Sequence, residues 1–212
     1  MTGYLADTAA LARKDLLLEL RGREILPAMA IFVVAMLVAF RFALTGEQTD
    51  AAAGLLWVAI VFTALLGLGR AFVAEREQQV LDGLVLAPCD RSAIWLAKVL
   101  ATLAFLILVE LIALPAFGLF FERPDGATVA AVLLADVGIC AVGTLIAAMA
   151  VAGRARELLL PLLFLPLAIP IIVGGVGATV AEDPARYLGF LGLYDLVFAI
   201  LAWATFEYVV TE

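Results

Sequence analysis

Three carboxylates stand inside apolar sequence. Glu110 lies within ATLAFLILVELIALPAF, Asp136 within VAAVLLADVGICAVG, and Asp195 follows Gly189 and Gly192 with Tyr194 beside it. An ionisable group at membrane depth costs about 3 kcal/mol or more unless it is paired or wetted. Glu110 and Asp136 therefore have two readings. They line a polar path or a subunit interface, or each acid is protonated and makes a single structural hydrogen bond, or stands nearer the membrane surface than the apolar flanks suggest. Asp136 is about two turns from its loop on this reading, Glu110 is nearer mid-span, and for Asp195 helix packing is the default role. A second unusual stretch is LLLPLLFLPLAIPIIVGGVG, in which Pro161, Pro166 and Pro170 precede Gly174, Gly175 and Gly177. Each proline removes a backbone donor, so the helix must distort. Pro166 and Pro170 thus mark either a broken helix facing a cavity or a tightly packed kink.

Beyond these positions the chain is poor in reactive groups. It has no histidine, which removes the commonest metal and haem ligand and the usual proton shuttle. Cys89 falls in a polar stretch and Cys140 in an apolar one, so neither a metal spacing nor a disulfide is expected. There is no nucleophile–base pair, no glycine-rich phosphate loop and no nucleic-acid patch. The chain is expected to bind no metal and no cofactor alone, and to be no enzyme by itself.

The elements that must position these residues are set by composition. Of 212 residues 66% are hydrophobic and 16% charged, and the mean hydropathy is +1.14. Soluble domains are about half apolar and a quarter charged. The fold class is therefore an all-α integral membrane protein, one domain over residues 1–212. Six spans are predicted at 27–44, 51–69, 99–121, 129–152, 158–181 and 187–210, each near the ~20 residues that cross a bilayer core. No cleavable signal peptide is expected. No internal repeat relates the two halves, so an inverted-repeat carrier has no support.

Two polar stretches remain. Residues 4–24 place Leu5, Ala9, Ala12, Leu16 and Leu20 at helical spacing among charges, which predicts an amphipathic interfacial helix. Residues 73–92 are the only long polar interruption between spans. Val80, Leu81, Leu84 and Val85 would share one helical face there, with Glu75, Gln78 and Asp82 on another. Ala87-Pro88 ends that helix, and Asp90 or Ser92 can cap the next. Such an element docks a soluble partner or rests on the headgroups. With the N-terminus inside, ten basic residues are cytoplasmic (Arg13, Lys14, Arg21, Arg23, Arg70, Arg76, Arg91, Lys98, Arg154 and Arg156). Three are not: Arg41, Arg123 and Arg186. That asymmetry puts both termini and residues 73–92 in the cytoplasm.

Three stretches carry a family resemblance: RKDLLLELRGRE, FVAEREQQVLDGLVLAPCDRSAIWLAKVL and LPLAIPIIVGG. In their order and spacing the chain resembles the CcmB family, the membrane subunit of the cytochrome c maturation haem exporter, within the ABC-2-type permeases. The resemblance implies an inner-membrane permease domain whose coupling helix seats in a cytoplasmic ABC ATPase subunit. Glu75, Arg76, Glu77, Gln78, Leu81, Asp82 and Leu84 would form that contact. It also implies a second copy of the chain, a haem-handling membrane subunit and an external haem chaperone as partners. Haem would be a transported ligand and not a resident cofactor. A permease for a lipid, polysaccharide or drug, and a non-translocating scaffold, are the alternatives.

Overall fold

A computed structural model describes residues 3–44, 49–72, 90–152 and 156–211. The proposed coupling segment, with Glu75, Arg76, Glu77, Gln78, Leu81, Asp82, Leu84 and also Cys89, lies outside the described residues. Those described form seven helices: α1 Tyr4–Gly22, α2 Ile25–Ala43, α3 Thr49–Leu68, α4 Arg91–Phe120, α5 Gly126–Ala152, α6 Arg156–Val180 and α7 Pro184–Thr211. From α2 onward, all six are long and apolar enough to cross a membrane.

Local chemistry sets the helix starts. Asp90 accepts from Ser92 N at 2.9 Å and begins α4. That start is eight residues before the predicted span, because the cap lets residues 91–98 continue the same helix. Asp125 accepts from Thr128 N at 2.7 Å at the head of α5. Asp183 accepts from Ala185 N, with Pro184 at the first helical position of α7. The first turn of α2 has no local cap. Its amides are met by Glu19 of α1, whose Oε1 accepts from Ile25 N at 2.6 Å and Leu26 N at 3.1 Å. The connection between α1 and α2 passes through Arg23 in a left-handed conformation, φ 53°.

The prolines do not break their helix. α6 runs from Arg156 to Val180 through Pro161, Pro166 and Pro170, and α4 contains Pro115 as well. In a span packed among neighbouring helices, the lost donors cost hydrogen bonds without ending the helix. Tyr194 of α7 donates to Leu167 O at 2.8 Å, adding a side-chain donor between Pro166 and Pro170.

α5 is the hub. It packs on α7, α6 and α4, while α2 touches chiefly α3 and α4. Two-thirds of the α5 span is buried (67%), against 17% for α2. Small residues permit the close packing. A side chain at Gly175 would run into the ring of Trp57, one at Gly143 into Leu68, and one at Gly138 into Asp195. Trp57 is fully buried and donates from Nε1 to Thr179 Oγ1 at 3.1 Å. Trp95 is buried too, donating to Ala141 O, whereas Trp203 and Tyr208 face outward.

α1 packs on α4, and not by the face its leucines predict. Thr8, Ala12 and Glu19 are buried, with Asp15 between them, while Leu5, Leu17, Leu18 and Leu20 are exposed. In water that would be upside down. Beside a bundle whose outer surface is itself apolar, Asp15 and Glu19 turn inward to specific partners while these four leucines face away from it.

Candidate functional site

Two groups of polar side chains stand out. One is a junction at the α1 end of the bundle; the other lies at mid-depth.

The junction is built on Lys98, in the second turn of α4. Its side chain is 6% exposed, and Nζ lies 2.7 Å from Ala71 O and 2.9 Å from Asp15 Oδ2. The ammonium also sits 5.0 Å from the ring centroid of Phe72, a cation–π contact. Ala71 and Phe72 are the last described residues before the 73–89 segment, and Asp90 is the first after it. Both flanks of that segment thus meet at one ammonium, and Asp15 ties them to α1. Asp15 is also paired with Lys14 at 3.1 Å, and Arg70 with Glu24 at 2.7 Å. Ser92 Oγ reaches Tyr4 Oη, and Arg91 pairs with Glu207 near the end of α7. A groove of about 240 Å³ opens among these elements, with Glu19, Glu24, Arg70, Lys98 and Thr102 in its walls. Outside the spans, hydrogen bonds from the Ser92 hydroxyl and amide hold the Asp90 carboxyl below its ordinary value. The Thr128 amide and hydroxyl do the same for Asp125.

The mid-depth group brings two predicted residues together. Glu110 is ten residues before the end of α4, and Asp136 ten residues after the start of α5. The α4–α5 hairpin therefore places both about 15 Å from the shared turn, near the centre of a 30 Å core. Asp136 is fully buried and Glu110 is 6% exposed. Their carboxyl groups come within reach of one another. Carboxylates are acceptors only, so Asp136 Oδ1 and Oδ2 and Glu110 Oε1 are left without a donor. Cys140 follows one turn after Asp136 as a fully buried free thiol, and buried Thr144 one turn further on. Glu110 also borders a cavity of about 10 Å³, shared with Val33, Ile60, Thr63 and Leu106. Asp195 is level with the pair, eleven residues into α7, and reaches α5 at Gly138 with both oxygens unpartnered.

Pro166 and Pro170 are not part of this group. α6 packs on α5, α7 and α3, and α4 is not a substantial neighbour; Pro166 points to the outer surface and Pro170 is half-buried. Among the described residues no three histidine, cysteine, aspartate or glutamate side chains converge as a metal set. The sequence reading missed the junction. Lys98 registered only as a topological charge, and nothing local links it to Asp15; only the packing of α1 on α4 does.

A family model described as CcmB protein matches residues 7–207. The chain belongs to the CcmB family. Heme exporter protein B of Paracoccus denitrificans is 35% identical over 207 residues, covering 93% of this chain and 94% of that one. The proteins of that name from Rhodobacter capsulatus and Pseudomonas aeruginosa are 34% and 32% identical, over 78% and 81% of this chain and 79% of each relative. The match takes in most of α1 and of the six apolar helices, so Asp15, Lys98 and the mid-depth carboxyls all lie within the family's own extent.

Proposed function

We propose that this chain is the transmembrane permease subunit of an ABC transporter complex for haem export or delivery in cytochrome c maturation. The observation that carries the reading is the CcmB match from residue 7 to residue 207, together with relatives named as haem exporters. The chain sits in the cell's inner membrane with both termini cytoplasmic, as the ten-to-three distribution of basic residues favours. ATP is hydrolysed on a separate cytoplasmic ATPase, which residues 73–92 engage through Glu75, Arg76, Glu77, Gln78, Leu81, Asp82 and Leu84. The Lys98 junction supports this role. A displacement of either flank of that segment is transmitted to Asp15, hence to α1, and through Glu19 to the first turn of α2.

A second copy of the chain, a haem-handling membrane subunit and an external haem chaperone complete the complex. Haem ligation falls to those partners, since this chain carries no histidine. Glu110 and Asp136 are a pair of polar residues in the membrane core, and Pro166 lies on the outer face of α6 with Pro170 half-buried.

The test is co-expression with the ATPase of the cell's cytochrome c maturation system, followed by purification and assay of ATPase activity. We expect the ATPase to co-purify with the full chain and to be lost from a variant lacking residues 75–86. Charge reversal at Glu75 or Asp82 should uncouple hydrolysis from assembly of c-type cytochromes while membrane insertion is retained. If no ATPase is held in gentle detergent, or if the reversed variants still mature cytochromes at the wild-type rate, the reading is wrong.

A further inference from the structure

The Glu110–Asp136 pair is incomplete as a set of protein atoms. Each carboxylate offers acceptors, and the acceptors face one another at the centre of the bundle. No described side chain or amide donates to Asp136 Oδ1, Asp136 Oδ2 or Glu110 Oε1. A buried polar group left unmet costs about 1–3 kcal/mol, and more when charged. Two anions side by side in a low-dielectric core would add mutual repulsion of several kcal/mol.

Among the described residues the surroundings supply no counter-charge. Lys98 is on the same helix but twelve residues away, roughly 18 Å along the axis, and is held by Asp15 and Ala71 O. From α5 the nearby ionisable group is Cys140, and from α7 Asp195 and Tyr194 arrive at Gly138. α2 and α3 present Val33, Ile60 and Thr63, whose hydroxyl is already donated to Ala59 O. None of these is a cation, and no metal set converges there among the described residues. One small species would link the two groups: a hydrogen on one carboxyl, donated to the other, which engages one oxygen of each.

We propose that Glu110 and Asp136 form a proton-binding site, one exchangeable proton shared between them at the centre of the permease. The proton joins α4 to α5 at a level where no other polar bond between them is made by these residues. The cavity beside Glu110, about 10 Å³, is at the lower limit of the space one water needs. Occupancy of this site decides whether two adjacent helices of the core attract or repel. The site needs neither ATP nor haem, so its test stands apart from that of the transport reading.

The experiment is infrared spectroscopy of the purified full chain in lipid nanodiscs, in water and in heavy water. The variants are E110Q, D136N and the E110Q/D136N double. Each single amide keeps an N–H donor facing the remaining carboxylate, so packing is preserved. The wild type should show the C=O band of a protonated carboxylic acid that shifts in heavy water. Each single variant should lose the same acid intensity as the double, because one proton serves both groups. If each single variant loses half of what the double loses, the site holds two independent acids and the proposal fails. It also fails if no exchangeable acid band is present in the wild type, or if only one of the single variants affects it.

Discussion

Lys98 Nζ of α4 stands 2.9 Å from Asp15 Oδ2 of α1, with side chains 6% and 11% exposed. The same nitrogen donates to Ala71 O, so a single ammonium closes the junction between α1, α4 and the segment after α3. Removing one member of a buried, hydrogen-bonded pair leaves the other uncompensated. Lys98→Met is expected to destabilise the protein by roughly 3 kcal/mol, read as a lowered thermal midpoint in detergent. Asp15→Asn combined with Lys98→Met should cost less than the sum of the two singles, because they share one interaction. Additive costs would show that the pair is not coupled.

Glu19 is expected to act as a cap in trans for α2. Glu19→Ala strips the acceptor from Ile25 N and Leu26 N and should cost about 1–2 kcal/mol, the usual worth of a helix cap. Glu19→Gln keeps an acceptor oxygen without the charge and should recover most of that loss. Amide hydrogen exchange at residues 25 and 26 would show it directly. Unchanged protection in Glu19→Ala would mean that water caps the helix equally well.

Close packing at Gly175 predicts a steep local cost. A methyl group there meets the buried Trp57 ring, which is rigid and held by Thr179. Gly175→Ala should therefore lose about 1–3 kcal/mol through overpacking. Gly54→Ala, in α3 with open space around its Cα, should be neutral or stabilising by up to about 1 kcal/mol from helix propensity. Comparing the two thermal midpoints separates packing from propensity.

The helix starts should be acid-sensitive in a defined direction. Hydrogen bonds from Ser92 and Thr128 hold the Asp90 and Asp125 carboxyls below their ordinary value of 3.8. For a depressed carboxyl the stabilisation is present above the ordinary value and is lost as pH falls through the folded one. Protection of the first-turn amides of α4 and α5 should accordingly hold at neutral pH and fall only in strong acid. Asp90→Asn and Asp125→Asn should flatten that dependence. Protection already lost on mild acidification, above the ordinary value, would contradict the assignment.

Much of this protein was legible in one dimension. A run of apolar residues long enough to cross about 30 Å of hydrocarbon has few alternatives, and the six spans were found within a few residues, except where Asp90 carries α4 back to Arg91. The polar stretches at 4–24 and 73–92 announced themselves by contrast with those spans, and FVAEREQQVLDGLVLAPCDRSAIWLAKVL above all, with RKDLLLELRGRE and LPLAIPIIVGG, carried the family. Tertiary structure decided the rest. Whether Leu5 and Leu20 of α1 faced the bundle or the lipid could not be read from spacing, because in a membrane both surroundings are apolar and periodicity loses its sign. That Glu110 and Asp136 share one level follows from the hairpin placing each ten residues from the same turn, and that they face each other is a matter of helix rotation. Pro166 on the outer surface, and Lys98 on Asp15, depend likewise on how helices are turned about their axes. The chain's own sequence determines which segments enter the membrane; packing among those segments determines which side chains meet.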